Sequence, residues 1–235
     1  MIAIFKRELK SYFYSPIGYV FIGFFMLVSG WIFSTQNLLY GTGELSYLFQ
    51  NLTIVFLLLI PILTMRLLSE EKNNKTDQLL FTSPLSTTSI VTGKILSALC
   101  VFAIALVITL IYPLLISRYT TPAWSEIISI YIGFFLMGAA FISIGVYISS
   151  HTENQIISAV ATFAILFVLY LADNILPSSE NEYVQIVISW LSINQRYSDF
   201  AMGFVNLASV VYYLSIIGLF GFLTVHQLEK QRWSK

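Results

Sequence analysis

The sequence predicts an all-α protein whose helices cross a membrane six times. Three observations predict it. The 235 residues are 57% hydrophobic and only 10% charged, whereas a soluble domain is about a quarter charged. Six segments reach or nearly reach the roughly 20 apolar residues a helix needs to cross a hydrocarbon core. None of them alternates apolar and polar residues as the strands of a membrane barrel do. Lipid offers a backbone no hydrogen-bond partner, so each segment must be helical. The mean hydropathy, +0.80, agrees. One polytopic domain over residues 1–235 is expected.

Residues 1–15 read MIAIFKRELKSYFYS, and Ile2, Phe5, Leu9, Tyr12 and Phe13 recur at helical spacing. Lys6, Arg7 and Lys10 lie elsewhere around that helix. This is the pattern of a short interfacial helix on the inner leaflet, its cations near anionic headgroups. The bland alternative is a basic flank that only sets topology. Ser15-Pro16 ends the helix before the first span, Ile17–Thr35. The other spans are Leu52–Leu68, Ile95–Ser117, Ile127–Ser149, Gln155–Leu176 and Ala208–Val225. Pro61 and Pro113 can kink spans two and three. Arg66, at the inner end of span two, can snorkel to the interface. Span four gathers Gly133, Gly138, Ala139, Ala140, Ser143, Gly145 and Ser149, which suits close helix contact within the bundle or with a second membrane subunit. Residues 177–207 are too polar for another span. Val184, Val187, Ile188 and Leu191, then Phe200, Phe204 and Val205, suggest one or two short helices in an outer-leaflet hairpin.

Charge fixes the expected orientation. Lys6, Arg7, Lys10, Arg66, Lys72, Lys75, Lys94, Lys230, Arg232 and Lys235 fall on one side of the six spans, against Arg118 and Arg196 on the other. Both termini are therefore expected in the cytoplasm, with the chain in the cell (plasma or inner) membrane. The same assignment makes Ser69–Lys94 cytoplasmic. That loop, SEEKNNKTDQLLFTSPLSTTSIVTGK, holds Glu70, Glu71, Lys72, Lys75, Asp77 and Lys94 in an otherwise lipid-soluble chain. A plain solvated linker would not carry Leu79, Leu80 and Phe81 together. A short helix with leading acids and such an apolar patch fits a groove on a soluble partner.

Several functions are excluded or disfavoured. Net charge is zero, which argues against a nucleic-acid partner. Cys100 is the lone cysteine, so there is no intrachain disulfide. Gly93-Lys94 lacks the upstream Gly and the downstream Ser or Thr of a phosphate loop, Thr88 and Ile95 standing there. His151 and His226 pair with no nucleophile, and Asp173 is the one acid near a span interior, close to the outer end. Ion-driven carriers keep ionisable groups near the midplane. These spans have almost none, so the energy source is expected outside the chain.

The order R-E-L-K, span one, span two, S-E-E-K-x-x-x-T-x-x-L-L-x-x-x-P-L-S, then G-K before span three, resembles the membrane subunit of ABC-2 type transporters, in particular the gliding-motility-associated permeases. S-I-N-Q-R-Y-S-D-F-A-M-G-F-V-N followed by Y-Y-L-S is similar to that family's outer hairpin and last helix. The resemblance implies that Glu70, Glu71, Thr76, Asp77, Leu79, Leu80 and Phe81, with Pro84 and Leu85, belong to a coupling helix that docks an ATPase. Gly93-Lys94 would start the next span. It implies two permease subunits, the second a copy or a different chain, and two cytosolic ATP-binding cassette subunits that hold the ATP and magnesium. No cofactor and no catalysis are expected on this chain. Asn74-Lys75 departs from the family pattern, which has Gly next to the Thr. The readings weighed are an ATP-driven exporter permease, a non-transporting membrane sensor or assembly factor, and an intramembrane enzyme. The apolar spans favour a lipid-like, peptide or other amphipathic cargo over small ions.

Overall fold

A computed structural model describes residues 1–41, 43–76, 85–175 and 192–233. Among these residues the regular structure is helical throughout. α1 is Ile2–Tyr14, and α2 is Pro16–Phe33 followed by a π-helical turn at Ser34–Leu38. α3 (Ser46–Thr64) and α4 (Arg66–Asn73) form one rod, α5 (Thr87–Thr109) and α6 (Ile111–Ile116) a second. α7 (Trp124–Ser149), α8 (Gln155–Ile175), α9 (Ile193–Ala201) and α10 (Leu207–Trp233) complete the chain. Six helical segments are long and apolar enough to cross a membrane, and they match the six predicted runs.

The interruptions follow from local chemistry. Ser15 is extended (φ −93°, ψ 158°), as a residue before proline prefers, and Pro16 opens α2, where its missing N–H costs nothing. Pro113 has no N–H to offer the Thr109 carbonyl, and α5 stops at Thr109. Pro61 stays inside α3, four residues before the break at Met65. The rods outrun the apolar runs. α4 continues to Asn73 and α5 begins at Thr87, where Ser86 caps it by accepting from the Ser89 amide. A helix need not end at the membrane edge, so helix runs into both ends of the polar segment.

α7 and α3 form the centre. Their most apolar windows are 72% and 67% buried, against 17% for α8 and α10, which have lipid-facing surfaces. α7 packs on α3, α5, α8, α9 and α10. Its glycines explain how it meets three of them. A Cβ at Gly133 would lie 2.5 Å from Phe200 of α9, one at Gly138 2.6 Å from the Phe102 ring of α5, and one at Gly145 2.9 Å from Thr64 Cβ of α3. The small residues of span four thus serve contacts inside the bundle. Phe134 of α7 fills the middle, 4.3 Å from the Phe56 ring, 4.8 Å from Phe49 and 6.2 Å from Phe102, within the spacing of favourable aromatic pairs.

Of the expected outer hairpin, residues 176–191 lie outside the described residues, and with them Val184, Val187, Ile188 and Leu191. α9 follows, capped by Ser192 on the Gln195 amide. Phe200 is buried against α7, but Phe204 and Val205 are exposed, so the second apolar group does not pack as one face.

Candidate functional site: an ion cluster beside the polar connection

The N-terminal segment forms the predicted helix but buries a face rotated from the predicted one, sharing Tyr12 with it. Ile4, Glu8 and Tyr12 point inward, four residues apart, whereas Ile2 is exposed. The reason lies on α5. A side chain at Gly93 would crowd Ile4, at 3.1 Å from its Cγ2, so the bare glycine lets α1 lie close. The next residue, Lys94, is completely buried. Its ammonium donates to Glu8 Oε1 at 3.1 Å, Glu71 Oε2 at 2.8 Å and the Leu67 carbonyl at 2.6 Å. A lysine has three donors, and all three are used.

Two further cations close the cluster. Arg7 bridges Glu8 and Glu71 at 2.5 Å each. Arg66 pairs with Glu70 at 3.1 Å, donates to the Ser15 hydroxyl at 2.6 Å and to the Ser11 hydroxyl, and lies over the Tyr12 ring. The Arg66 side chain is only 11% exposed, because α1 supplies partners that water would otherwise supply. Tyr12 donates to the Leu63 carbonyl at 2.7 Å. Arg7, Arg66 and Lys94 thus balance Glu8, Glu70 and Glu71, and the network joins α1, the α3–α4 rod and α5. Ser149, at the end of α7, ties that helix to α4. Its hydroxyl accepts from the Leu68 and Ser69 amides and donates to the Met65 carbonyl, satisfying backbone groups left at the break.

Burial alone would raise the Glu8 carboxyl, but Lys94 and Arg7 outweigh it and hold it below the usual carboxylate range. A depressed folded-state value means stability that is present above the unfolded value of about 4.3 and lost as pH falls through the folded one. Thermal unfolding in detergent should therefore fall more steeply below about pH 4 for the natural chain than for Glu8→Gln. Equal slopes would remove Glu8 from the network.

The structure places the predicted site residues unevenly. Glu70 and Glu71 are in the cluster, in the second turn of α4. No acid stands in that helix's first turn, because it continues span two and opens with Arg66. Thr76 is exposed, its amide bonded to the Glu71 carbonyl at 2.9 Å. Lys75 takes a left-handed conformation, φ 55°, which glycine adopts at least cost. Asp77, Leu79, Leu80, Phe81 and Pro84 lie outside the described residues. Lys6 and Lys10 are exposed, while Arg7 is drawn into the cluster. Glu8 as a buried anchor and Lys94 as its partner were not anticipated. The 4-8-12 spacing on α1 and the Ser86 cap, which sets Lys94 two turns inside a helix, were the available signals. A cavity of about 570 Å³ opens beside Glu8, Glu71, Arg66 and Leu85.

The pattern that defines the family described as ABC-2 family transporter protein matches residues 2–223. The chain belongs to this family. Comparison with curated proteins gave no match. As an ABC-2 family protein with six apolar helices it is a multi-pass membrane protein, a permease component of an ABC transporter. The match takes in α1, Glu8, the polar connection and Lys94, so the elements that build the ion cluster all fall within the family unit.

Proposed function

We propose that this chain is the permease subunit of an ATP-driven exporter of the gliding-motility-associated type, in the cell membrane, with both termini cytoplasmic. It forms the pathway with a second permease subunit and takes its energy from separate cytosolic ATPase subunits. These hold the ATP and magnesium and dock on the segment that carries Glu70 to Phe81. The observation that carries the reading is the ion cluster at the roots of that segment. The ten-against-two split of Lys and Arg supports the orientation.

The chemistry of coupling follows from the cluster. A docked ATPase pushes the connection between α4 and α5. Lys94 on α5 is paired with both Glu71 on α4 and Glu8 on α1, so the push is delivered to α1 and both rods together. Separating buried charges is costly, so α1, α4 and α5 move as a unit. Ser149 carries that motion to α7, the central helix.

The test is co-purification with the ATPase encoded beside it, followed by ATP hydrolysis in nanodiscs. Leu79→Asp, which puts a charge in the apolar patch of the connection, is expected to lower association at least about tenfold, the loss of one buried apolar anchor. Natural chain that binds no ATPase subunit, or Leu79→Asp that binds as well, would favour the sensor or assembly reading.

A further inference from the structure

Beside the first turns of α1, along the flanks of α5 and α7, runs a groove of about 490 Å³. Ile2 and Phe5 of α1, Leu96, Leu99 and Ala103 of α5, and Phe135 of α7 line it. No side chain in its wall carries a charge, a hydroxyl or an amide. At 1.5 Å per residue, the α5 wall from Leu96 to Ala103 is about 10 Å long. Phe135 is held in place by stacking on the Phe102 ring, 6.0 Å away. Ile2, Leu96 and Phe135 are all exposed, so the wall is apolar and uncovered.

Residues four apart share a helix face, and α1 carries three such rows. Ile4, Glu8 and Tyr12 are buried, Phe5, Leu9 and Phe13 half-buried, and Ile2, Lys6 and Lys10 exposed. The exposed row therefore starts at the groove and continues as two lysines. They lie about 6 and about 12 Å from Ile2 along the helix axis. Neither pairs with an acid among the described residues, whereas Arg7 is committed to Glu8 and Glu71. A lysine stem can lie along an apolar wall while its ammonium stays at headgroup level.

We infer that the groove holds one acyl chain of an anionic phospholipid from the surrounding leaflet, its phosphate paired with Lys6 and Lys10. A partner's helix does not fit. One about 10 Å across and as long as the groove would fill roughly 800 Å³. An extended peptide would bring backbone polar groups against a wall that cannot bond them. A choline headgroup would bring a further cation to the lysines, whereas an anionic one leaves its charge to them. The lipid is resident rather than cargo. It lies against α1 and α5 beside Gly93, and so adds to the contact that seats Glu8 on Lys94. Which leaflet supplies it follows from the orientation proposed above; the binding itself does not depend on that reading.

The test uses the full chain in phosphatidylcholine nanodiscs doped with a minor amount of phosphatidylglycerol of the same acyl chains. Native mass spectrometry reads the phosphatidylglycerol retained on the protein relative to its share of the bilayer. The natural chain is expected to enrich it at least about fivefold, the worth of one lysine near an anionic headgroup, and up to about 25-fold with both. Lys6→Gln/Lys10→Gln should bring retention down to the bilayer share. Ala103→Phe, which fills the groove and keeps both lysines, should do the same. Cys100→Leu, a milder filling of the same wall, takes its place if that variant does not fold. Lys230→Gln/Arg232→Gln, an equal loss of charge at exposed positions on α10, should leave the enrichment unchanged. No enrichment by the natural chain overturns the inference. So does enrichment that survives the lysine variant, or that survives the filled groove, which would mean diffuse attraction to a basic face. Enrichment that the α10 variant also removes overturns it as well. No ATPase is needed, so a failure here leaves the exporter reading standing, and a failed ATPase association leaves this result intact.

Discussion

Lys94→Met is expected to cost the protein about 3–5 kcal/mol, the usual penalty for removing one partner of a buried ion pair. Methionine keeps the length of the side chain, so the loss is one of charge rather than volume. Glu8 and Glu71 would face each other without their shared cation, and the Leu67 carbonyl would lose its donor. Arg7 cannot replace Lys94, because it is itself half-exposed and already bridges the same two acids. The loss should appear as a lowered unfolding midpoint in detergent. The triple variant Lys94→Met/Glu8→Gln/Glu71→Gln should recover much of it, since neutral groups in the same space need no counter-charge. A single-variant loss below about 1 kcal/mol, or a triple variant no better than the single, would mean that water already screens the site.

The same cluster marks the limit of what the sequence made legible. Six helices could be read because lipid forces any apolar run of that length to be helical. The proline breaks could be read because proline acts on its own neighbours, and Ser15-Pro16 and Pro113 act as expected. The burial of α1 could be read only in part from its spacing: Tyr12 is buried and Leu9 and Phe13 pack against the core as that face predicts. Of Ile2, Phe5, Leu9, Tyr12 and Phe13 only Tyr12 is fully buried, and Ile4 and Glu8, outside that set, are buried with it. That choice is made by Gly93 and Lys94 and by Arg66, at least 51 residues from their partners on α1. Charge counting treated Lys94 and Arg66 as flanks, which is silent about pairing. The polar connection was legible as a candidate docking segment by resemblance, but its acids turn toward the bundle. The segment thus divides into an anchored root at Glu70 and Glu71 and the sequence Asp77–Phe81.

Gly145→Ala tests whether the central helix tolerates any slack. The added methyl would lie 2.9 Å from Thr64 Cβ and 3.0 Å from its Cγ2, closer than carbon atoms approach. Thr64 cannot swing away: it is fully buried, and its hydroxyl donates to the Ile60 carbonyl at 2.9 Å. Overpacking of this kind costs about 1–3 kcal/mol, which should outweigh the gain of up to about 1 kcal/mol from replacing a helical glycine. Gly218→Ala on α10, with no other atom within 4 Å of the new methyl, should keep that gain and show no loss. The decisive comparison is the exchange Gly145→Ala/Thr64→Gly, which removes the crowding side chain from α3. Thr64→Gly alone should destabilise, and the pair should be less harmful than the two losses added, by about 1–3 kcal/mol of coupling. Additivity within about 0.5 kcal/mol would mean that the helices simply separate to make room. Thr64 is the last residue of α3, and the next carbonyl, that of Met65, is held by Ser149 of α7. Strain at Gly145 therefore falls on the joint through which α4 and the ion cluster meet the central helix. In the assembled transporter Gly145→Ala should lower ATP-driven transport more than it lowers ATPase association, because the docking segment itself is untouched.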